Sequence, residues 1–414
     1  MTNPLLSPEV RQYILEHRND DPYDLALRPG KVAGLPVPVI AGQIRAWQKA
    51  AVKIPSWARN DRIIWPPLLS MEQCSSEHTA RYKAGRICGS RLVDLTGGTG
   101  VDAYFLSASF DHTVYVERDP SLCDIARHNY GVLNARIEVV NEDAGNYAGS
   151  LSTPVDVFYL DPARRDPESR QRFFRIEDFR PNPVQLVPEL MRKAEQILIK
   201  FSPMADLAVL SQYFPNIKTI EVLSVRNEVR EVLCYLGGAG NEPLIRAVDL
   251  VAEGKAVVLE FRPSDETASH CELSDPRAYL YEPSRAVLKA GAFRLLCSRF
   301  PLSKLHRNTH LYTTDTLFGG FPGRVFAVIN VLKPKREAVL SAIPSGQANI
   351  IARNFGEDPD LIRKRLGIRE GGEEYLFAAR LAGGRPVLIH CRRVAQPSGN
   401  QEYEEQDNQG DAAV

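Results

Sequence analysis

The chain has 414 residues, 51 Lys and Arg balanced by 51 Asp and Glu, and a hydrophobic content of 44%. Zero net charge excludes a uniformly basic nucleic-acid coat, and this apolar content is enough for buried cores in two to four domains. No run of about 18 apolar residues exists to cross a membrane, and residues 1–12 lack the basic-then-apolar order of a secretory leader. The seven cysteines are scattered, odd in number and without a C-x-x-C pair, which predicts free thiols in a reducing cytoplasm. The eight histidines show no ligand spacing, so no metal site is expected.

In chain order, Ser7-Pro8-Glu9 is a helix start: a capping hydroxyl, Pro at the first helical position, then an acid. The helix should run to about residue 17. Residues 41–53 read as a second helix, with Ile44, Trp47 and Ala51 on one face and Pro55 as a stop. Lys49 and Lys53, four apart, either reach a phosphate or sit on a solvated face. Residues 72–83, EQCSSEHTARYK, place Ser75 or Ser76 as the cap of a helix carrying Thr79, Tyr82 and Lys83. That segment either folds over a ligand site or is a well-capped surface helix. Together these form an N-terminal helical region, 1–88.

The stretch RLVDLTGGTGVD, 91–102, organises the domain that begins here. A short apolar strand ends in Asp94, a turn of Gly97, Gly98 and Gly100 comes next, and a helix begins at Val101. This is the nucleotide-binding corner of a doubly wound sheet. Gly98 to Ala103 also fits the dinucleotide pattern G-x-G-x-x-G/A. Asp94 separates the readings, because an acid there repels a pyrophosphate but attracts the amino-acid ammonium of S-adenosylmethionine (AdoMet). The stretch resembles motif I of class I AdoMet-dependent methyltransferases, with Thr96 inside the turn.

From 89 to 240, strand and helix alternate as a parallel sheet requires. A strand over 113–116 ends in Glu117, placed to accept ribose hydroxyls, and a helix over 120–133 comes after it. The third strand ends in Asn141-Glu142-Asp143-Ala144, and Asp143 resembles the methyltransferase acid that takes the adenine amino group. A lone acid of this kind otherwise caps a helix or forms a turn. The fourth strand, 155–160, ends in Asp161-Pro162-Ala163-Arg164-Arg165. This resembles motif IV of amino-methyltransferases, in which an acid, a proline and an aromatic hold an amine. It departs from that motif at Ala163 and Arg164, where Arg164 replaces the stacking aromatic and offers its guanidinium plane.

Methyl transfer from a sulfonium is an in-line displacement, so alignment supplies much of the rate. Asp161, accepting an exocyclic N–H, would orient the nitrogen lone pair. Six arginines between 164 and 180, with Phe173 and Phe174, suit phosphate and single-strand contacts or else pair with the five acids of 161–180. A strand over 196–201, a helix from about 205, and paired strands over 219–225 and 229–236 around Asn227-Glu228 complete this domain.

After the glycine-rich 237–243, strands over 246–251 and 255–261, a helix over 283–300, and strands over 309–314 and 324–332 read as a small ferredoxin-like α+β domain, 241–335. Residues 336–396 alternate a helix (335–343), a strand (348–353), a helix (358–366) and two strands (374–381, 386–391). Arg353, Arg363, Lys364, Arg365, Arg369, Arg392 and Arg393 either face RNA or are scattered surface charge; residues 331–398 hold 12 Lys and Arg against 7 Asp and Glu. Residues 397–414 form an acidic tail, expected to be disordered.

EQCSSEHTARYK, DLTGGTG, DPARR, ANIIARNFGEDPDLIRKRLGIREGGEEYLF and VLIHCRR together resemble bacterial class I methyltransferases with a C-terminal THUMP-like domain, distant relatives of trimethylguanosine synthase and other RNA guanine-N2 methyltransferases. The resemblance implies an α/β fold, with a Rossmann-like seven-stranded sheet and then ferredoxin-like and THUMP-like domains. It implies AdoMet held by Asp94, Thr96, Gly98, Gly100, Glu117, Asp143 and Ala144, and an amine positioned by Asp161, Pro162 and Arg164. The implied partner is a structured RNA such as tRNA or rRNA. A small-molecule or protein amine, or a lapsed RNA-binding scaffold, are the alternatives; Asp94 argues against an oxidoreductase.

Overall fold

The apolar runs between residues 89 and 236 become strands, most of them buried on both faces. The computed structural model describes residues 3–163, 175–238, 242–252 and 255–397. These gather into two units, one mainly of residues 1–226 and 230–243, the other mainly of 244–249 and 256 onward. The first unit holds seven strands: β1 (Gly89–Asp94), β2 (Phe110–Glu117), β3 (Ile137–Asn141), β4 (Val155–Leu160), β5 (Ala194–Phe201), β6 (Ile217–Val225) and β7 (Glu228–Leu236). Their order is β3-β2-β1-β4-β5-β7-β6. The five strands β1 to β5 are mutually parallel, and β7 runs antiparallel to β5.

A parallel strand covered on both faces needs near-continuous apolar sequence, as VDVFYL in β4 supplies. Arg226 and Asn227, both with positive φ, make the β6–β7 turn, the left-handed geometry that suits a tight hairpin. The turn therefore sits one residue earlier than the sequence suggests. The order reverses between β1 and β4, so their adjacent C-terminal ends open a crevice.

Helices α1 (Pro8–His17), α2 (Val37–Lys53) and α3 (Glu77–Ala84) precede the sheet. Ser7 caps α1, and Ser76 caps α3. The second helix begins four residues before the expected start, because Pro38 stands in its first turn, where a proline is well accommodated. Ala46, Ile54, Trp57, Trp65 and Met71 share one buried cluster with Val101, Phe105, Tyr115 and Tyr130. The N-terminal helical region and the sheet thus have a common core. Lys53 donates to the carbonyls of Met71 and Glu72 at 3.1 and 2.8 Å. It ties two helices together instead of sitting on a solvated face, whereas Lys49 is exposed.

The second unit contains β8 (Leu244–Ala252, in its first half), β9 (Lys255–Phe261), β10 (Tyr279–Pro283), β11 (Ser303–Lys304), β12 (Tyr312–Thr314), β13 (Gly323–Leu332), β14 (Asn349–Arg353), β15 (Glu374–Arg380) and β16 (Pro386–Val394). The last seven form one sheet, ordered β11-β12-β10-β13-β16-β15-β14. Strands from both sides of residue 335 belong to it. Leu280, Leu311, Phe326, Phe377 and Ile389 pack in its core.

Two expectations are corrected here, and one open alternative gains a structural context. The helix predicted over 283–300 is two short helices, Arg285–Ala290 and Leu295–Arg299, because Gly291 adopts φ 86° and ends the first of them. Cys271 and Cys297 form a disulfide with Cα atoms 5.3 Å apart, so these two are not free thiols; the fold joins positions 26 residues apart that no local motif links. Finally, four of the seven C-terminal basic residues are neutralised. Arg353 pairs with Glu282, Arg363 with Asp360 and Glu370, Arg365 with Glu357, and Arg392 with Glu374. Among the described residues no helix is long and apolar enough to cross a membrane.

Candidate active site

The crevice at the ends of β1 and β4 is a cleft of about 480 Å³, within the usual range for small-ligand sites. At its floor lies the β1 carboxylate, Asp94, 1% exposed. Its Oδ1 accepts the Thr96 N–H at 2.9 Å and the Thr96 hydroxyl at 3.3 Å. The same hydroxyl oxygen accepts the Asp161 N–H at 2.6 Å. Thr96 therefore joins the acid of β1 to the acid after β4. Burial pushes the Asp94 carboxyl up to about 8, and the neighbouring Asp102 and Asp161 add to the push against the opposing hydrogen bonds from Thr96.

Each turn glycine has its own reason. Gly97 lies against the Tyr115 ring, where a Cβ would stand 2.3 Å from a ring carbon. Gly98 has φ 54°; its N–H donates to Glu117 Oε2 at 2.9 Å, and its carbonyl accepts the Tyr115 hydroxyl at 2.7 Å. Gly100, with φ 79°, accepts the Tyr130 hydroxyl on its carbonyl at 3.0 Å. On the opposite wall Asp143 caps the helix Ala144–Ser150 through Oδ1, accepting from Gly145 and Asn146.

Behind Asp161 lies a buried ionic network. Lys200, in the buried second half of β5, pairs through Nζ with Asp161 and stands 3.6 Å from Asp102. Lys83 of α3 is fully buried and pairs with Asp102 at 2.9 Å and Glu231 of β7 at 2.7 Å. Ser75 Oγ accepts from both lysines, at 2.8 and 3.1 Å, and donates to Asp102 at 2.7 Å; the Tyr159 hydroxyl donates to the same carboxylate at 2.8 Å. Burial opposes the charge on Asp102, but Lys83 and Lys200 hold its carboxyl below the usual carboxylate range. Burial likewise opposes the charge on Lys200, yet Asp161, Asp102 and Glu231 keep it firmly protonated. For Asp161 itself burial prevails, and its carboxyl is raised despite Lys200. Its side chain is 33% exposed, open to the cleft.

Of the residues singled out from the sequence, Asp94, Thr96, Gly98, Glu117, Asp143, Ala144 and Asp161 line this one cleft. Gly100 and Pro162 do not; Gly100 is packed beneath Tyr130, where a Cβ would meet its hydroxyl at 2.4 Å. Arg164 lies outside the described residues, as do Arg165, Arg170, Arg172, Phe173 and Phe174. The chain re-enters the cleft at Arg180, whose backbone exchanges hydrogen bonds with Ala163 at 2.8 and 2.9 Å. Sequence reading missed Asp102, Lys200 and Glu231. The available signal was a lone lysine in the apolar QILIKF, since a buried charge needs a partner. Among the described residues no group of three or more His, Cys, Asp or Glu could hold a metal ion.

Comparison with known proteins agrees with this geometry. Residues 279–322 match a ferredoxin-like domain family and residues 323–393 a THUMP domain-like family. A crystal structure of a candidate methyltransferase from Porphyromonas gingivalis W83 is 31% identical, with a TM-score of 0.83, covering 93% of this chain and 98% of that one. An uncharacterized S-adenosylmethionine-dependent methyltransferase of Mycobacterium tuberculosis, found in strains H37Rv and CDC 1551, is 26% identical over 334 residues, 80% of this chain and 84% of the relative. With the strand order and the acid–glycine corner, these place the chain among the class I AdoMet-dependent methyltransferases that carry C-terminal ferredoxin-like and THUMP-like domains.

Proposed function

We propose that this chain methylates a nitrogen of a base, of the guanine N2 type, in a structured RNA such as tRNA or rRNA, in the cytoplasm. The observation that carries the reading is Asp161: a carboxylate at the end of β4, open to the cleft, held by Lys200 on one side and by Thr96 through its own N–H on the other. The residues around the cleft suit AdoMet. Asp94 would take its ammonium, Glu117 the ribose hydroxyls, and Asp143 with the Ala144 N–H the adenine edge, while Gly98 leaves the turn close to the ligand. When bound, AdoMet supplies an electrophilic sulfonium methyl.

Asp161 accepts an N–H of the incoming amine, aims its lone pair along the in-line path and offsets the positive charge that grows on nitrogen. Lys200 keeps that carboxylate aimed, with Ser75 and Lys83 bracing the lysine from behind. Pro162 limits how the chain leaves the strand, and Arg164 would meet the base.

The THUMP-like match supports RNA over other acceptors, because the families resembled here use such domains on structured RNA. A second reading, a small-molecule or protein amine, draws on the internal pairing of four C-terminal arginines. Incubating the full chain with methyl-labelled AdoMet and total RNA, protein or small-molecule fractions separates the two. Label in RNA supports the proposal, and label only in another fraction replaces it. The D161A variant should lose transfer while binding AdoMet nearly as well as the unmodified chain.

A further inference from the structure

A second concave site lies in the N-terminal helical region, away from the residues of the cofactor cleft. It is about 310 Å³ in volume and its lining includes Arg11 of α1, Arg18, Arg59, Trp47 and Trp65. Its one acid is Asp61. Among the described residues no carboxylate stands within ion-pair distance of Arg11, Arg18 or Arg59. Three arginines against one acid leave the lining with an excess of positive charge, and Asp61 offsets part of it through its attraction to Arg11.

The floor of the hollow is built rigidly. The Gln43 side-chain amide donates to the Trp65 carbonyl at 2.8 Å and accepts the Trp65 N–H at 2.9 Å. One residue earlier, the Asn129 amide does the same to Ile64, at 2.9 Å in both directions. Two side-chain amides thus clamp consecutive peptide units, one from α2 and one from the helix Pro120–Val132 that packs on the methyltransferase sheet. His128 of that helix adds a bond to the Arg62 carbonyl at 2.8 Å. Trp47 is fixed by donating its indole N–H to the Ala58 carbonyl at 3.1 Å, and the Arg18 guanidinium stands 5.4 Å from its ring centroid. A preformed hollow spends little binding energy on ordering itself.

We infer that this hollow binds a nucleotide, with the base against the Trp47 indole and the 5′-phosphate among the arginines. Aromatic faces stack any base, and guanidinium groups grip phosphate oxygens in a fork. The nucleotide is either free or one unit of an RNA strand. The second source rests on the RNA reading above, and there the site would hold the substrate at a point beyond the target base.

The chain's three tryptophans are Trp47, Trp57 and Trp65, so intrinsic fluorescence reports this region. The test titrates the full chain, saturated with AdoMet to fill the cofactor cleft, with adenosine 5′-monophosphate, a 5′-phosphorylated RNA trinucleotide, and inorganic phosphate. Saturable quenching by the monophosphate or the trinucleotide is expected, weakened at least tenfold in an R18A/R59A variant with an unchanged circular dichroism spectrum. The D61N variant should tighten binding by two- to threefold. Tighter binding of the trinucleotide than of the monophosphate assigns the site to an RNA strand; the reverse assigns it to a free nucleotide. No saturable quenching, quenching indifferent to the arginines, or equal competition by inorganic phosphate overturns the inference. AdoMet binding and methyl transfer are measured on the same preparation, so failure of the methylation proposal and failure of the nucleotide site are separate results.

Discussion

Replacing Asp94 with Asn separates what this carboxyl costs the fold from what it does for the ligand. In the folded chain its pKa is raised to about 8, against 3.8 ordinarily. A carboxyl whose folded pKa is raised contributes its full stability below the unfolded value and loses it as pH climbs to the folded one. At about 1.4 kcal/mol per pH unit, burial of this group costs roughly 4 kcal/mol at pH 7 and under about 2 kcal/mol at pH 5. Asn is nearly isosteric and keeps an oxygen for the Thr96 N–H and hydroxyl. The variant should therefore unfold several degrees higher than the parent at pH 7, with most of the gain gone at pH 5. Thermal unfolding tracked by circular dichroism at both pH values measures this. Equal midpoints at pH 7, or an equal gain at both pH values, would refute the reasoning.

Calorimetry on the same proteins tests the other half. The variant should lose AdoMet affinity. In the parent, affinity should rise about tenfold per unit between pH 5.5 and 7, with proton release on binding, as the cost of ionising Asp94 falls.

Other expectations rest on particular contacts. Lys200→Met leaves Asp161 without its cation and Asp102 with Lys83 alone, so urea unfolding should show a loss of about 3–5 kcal/mol, whereas Lys200→Arg keeps a charge and should recover most of it. Asp143→Ala removes a helix cap, costing about 1 kcal/mol, and should weaken AdoMet binding; Asp143→Ser should restore the unfolding midpoint without restoring the affinity. Gly97→Ala drives a methyl into the Tyr115 ring, and a thermal scan should show a lower midpoint than for Gly131→Ala, where no atom lies within 4 Å of the new methyl.

Much of the architecture was legible because its code is local. Apolar runs, capping residues and turn glycines act over a few residues, so α1, α3, β1 to β5 and the strands from Asn349 onward fall within a few residues of where periodicity puts them. The acids at successive strand ends were readable for the same reason: in parallel strands the sheet itself brings Asp94, Glu117, Asp143 and Asp161 to one edge. What the sequence could not disclose are pairings across long separations. Lys83 meets Glu231 across 148 residues and Lys200 meets Ser75 across 125, and nothing in either neighbourhood names its partner. The Cys271–Cys297 bond and the arginine-walled hollow also depend on which elements become neighbours. Sequence placed Gly97 in the turn without a reason of its own; the Tyr115 ring above it is what forbids a side chain there. Period and chirality are written residue by residue, but a buried charge is compensated only by the group that packing delivers to it, and that was decided by the tertiary structure.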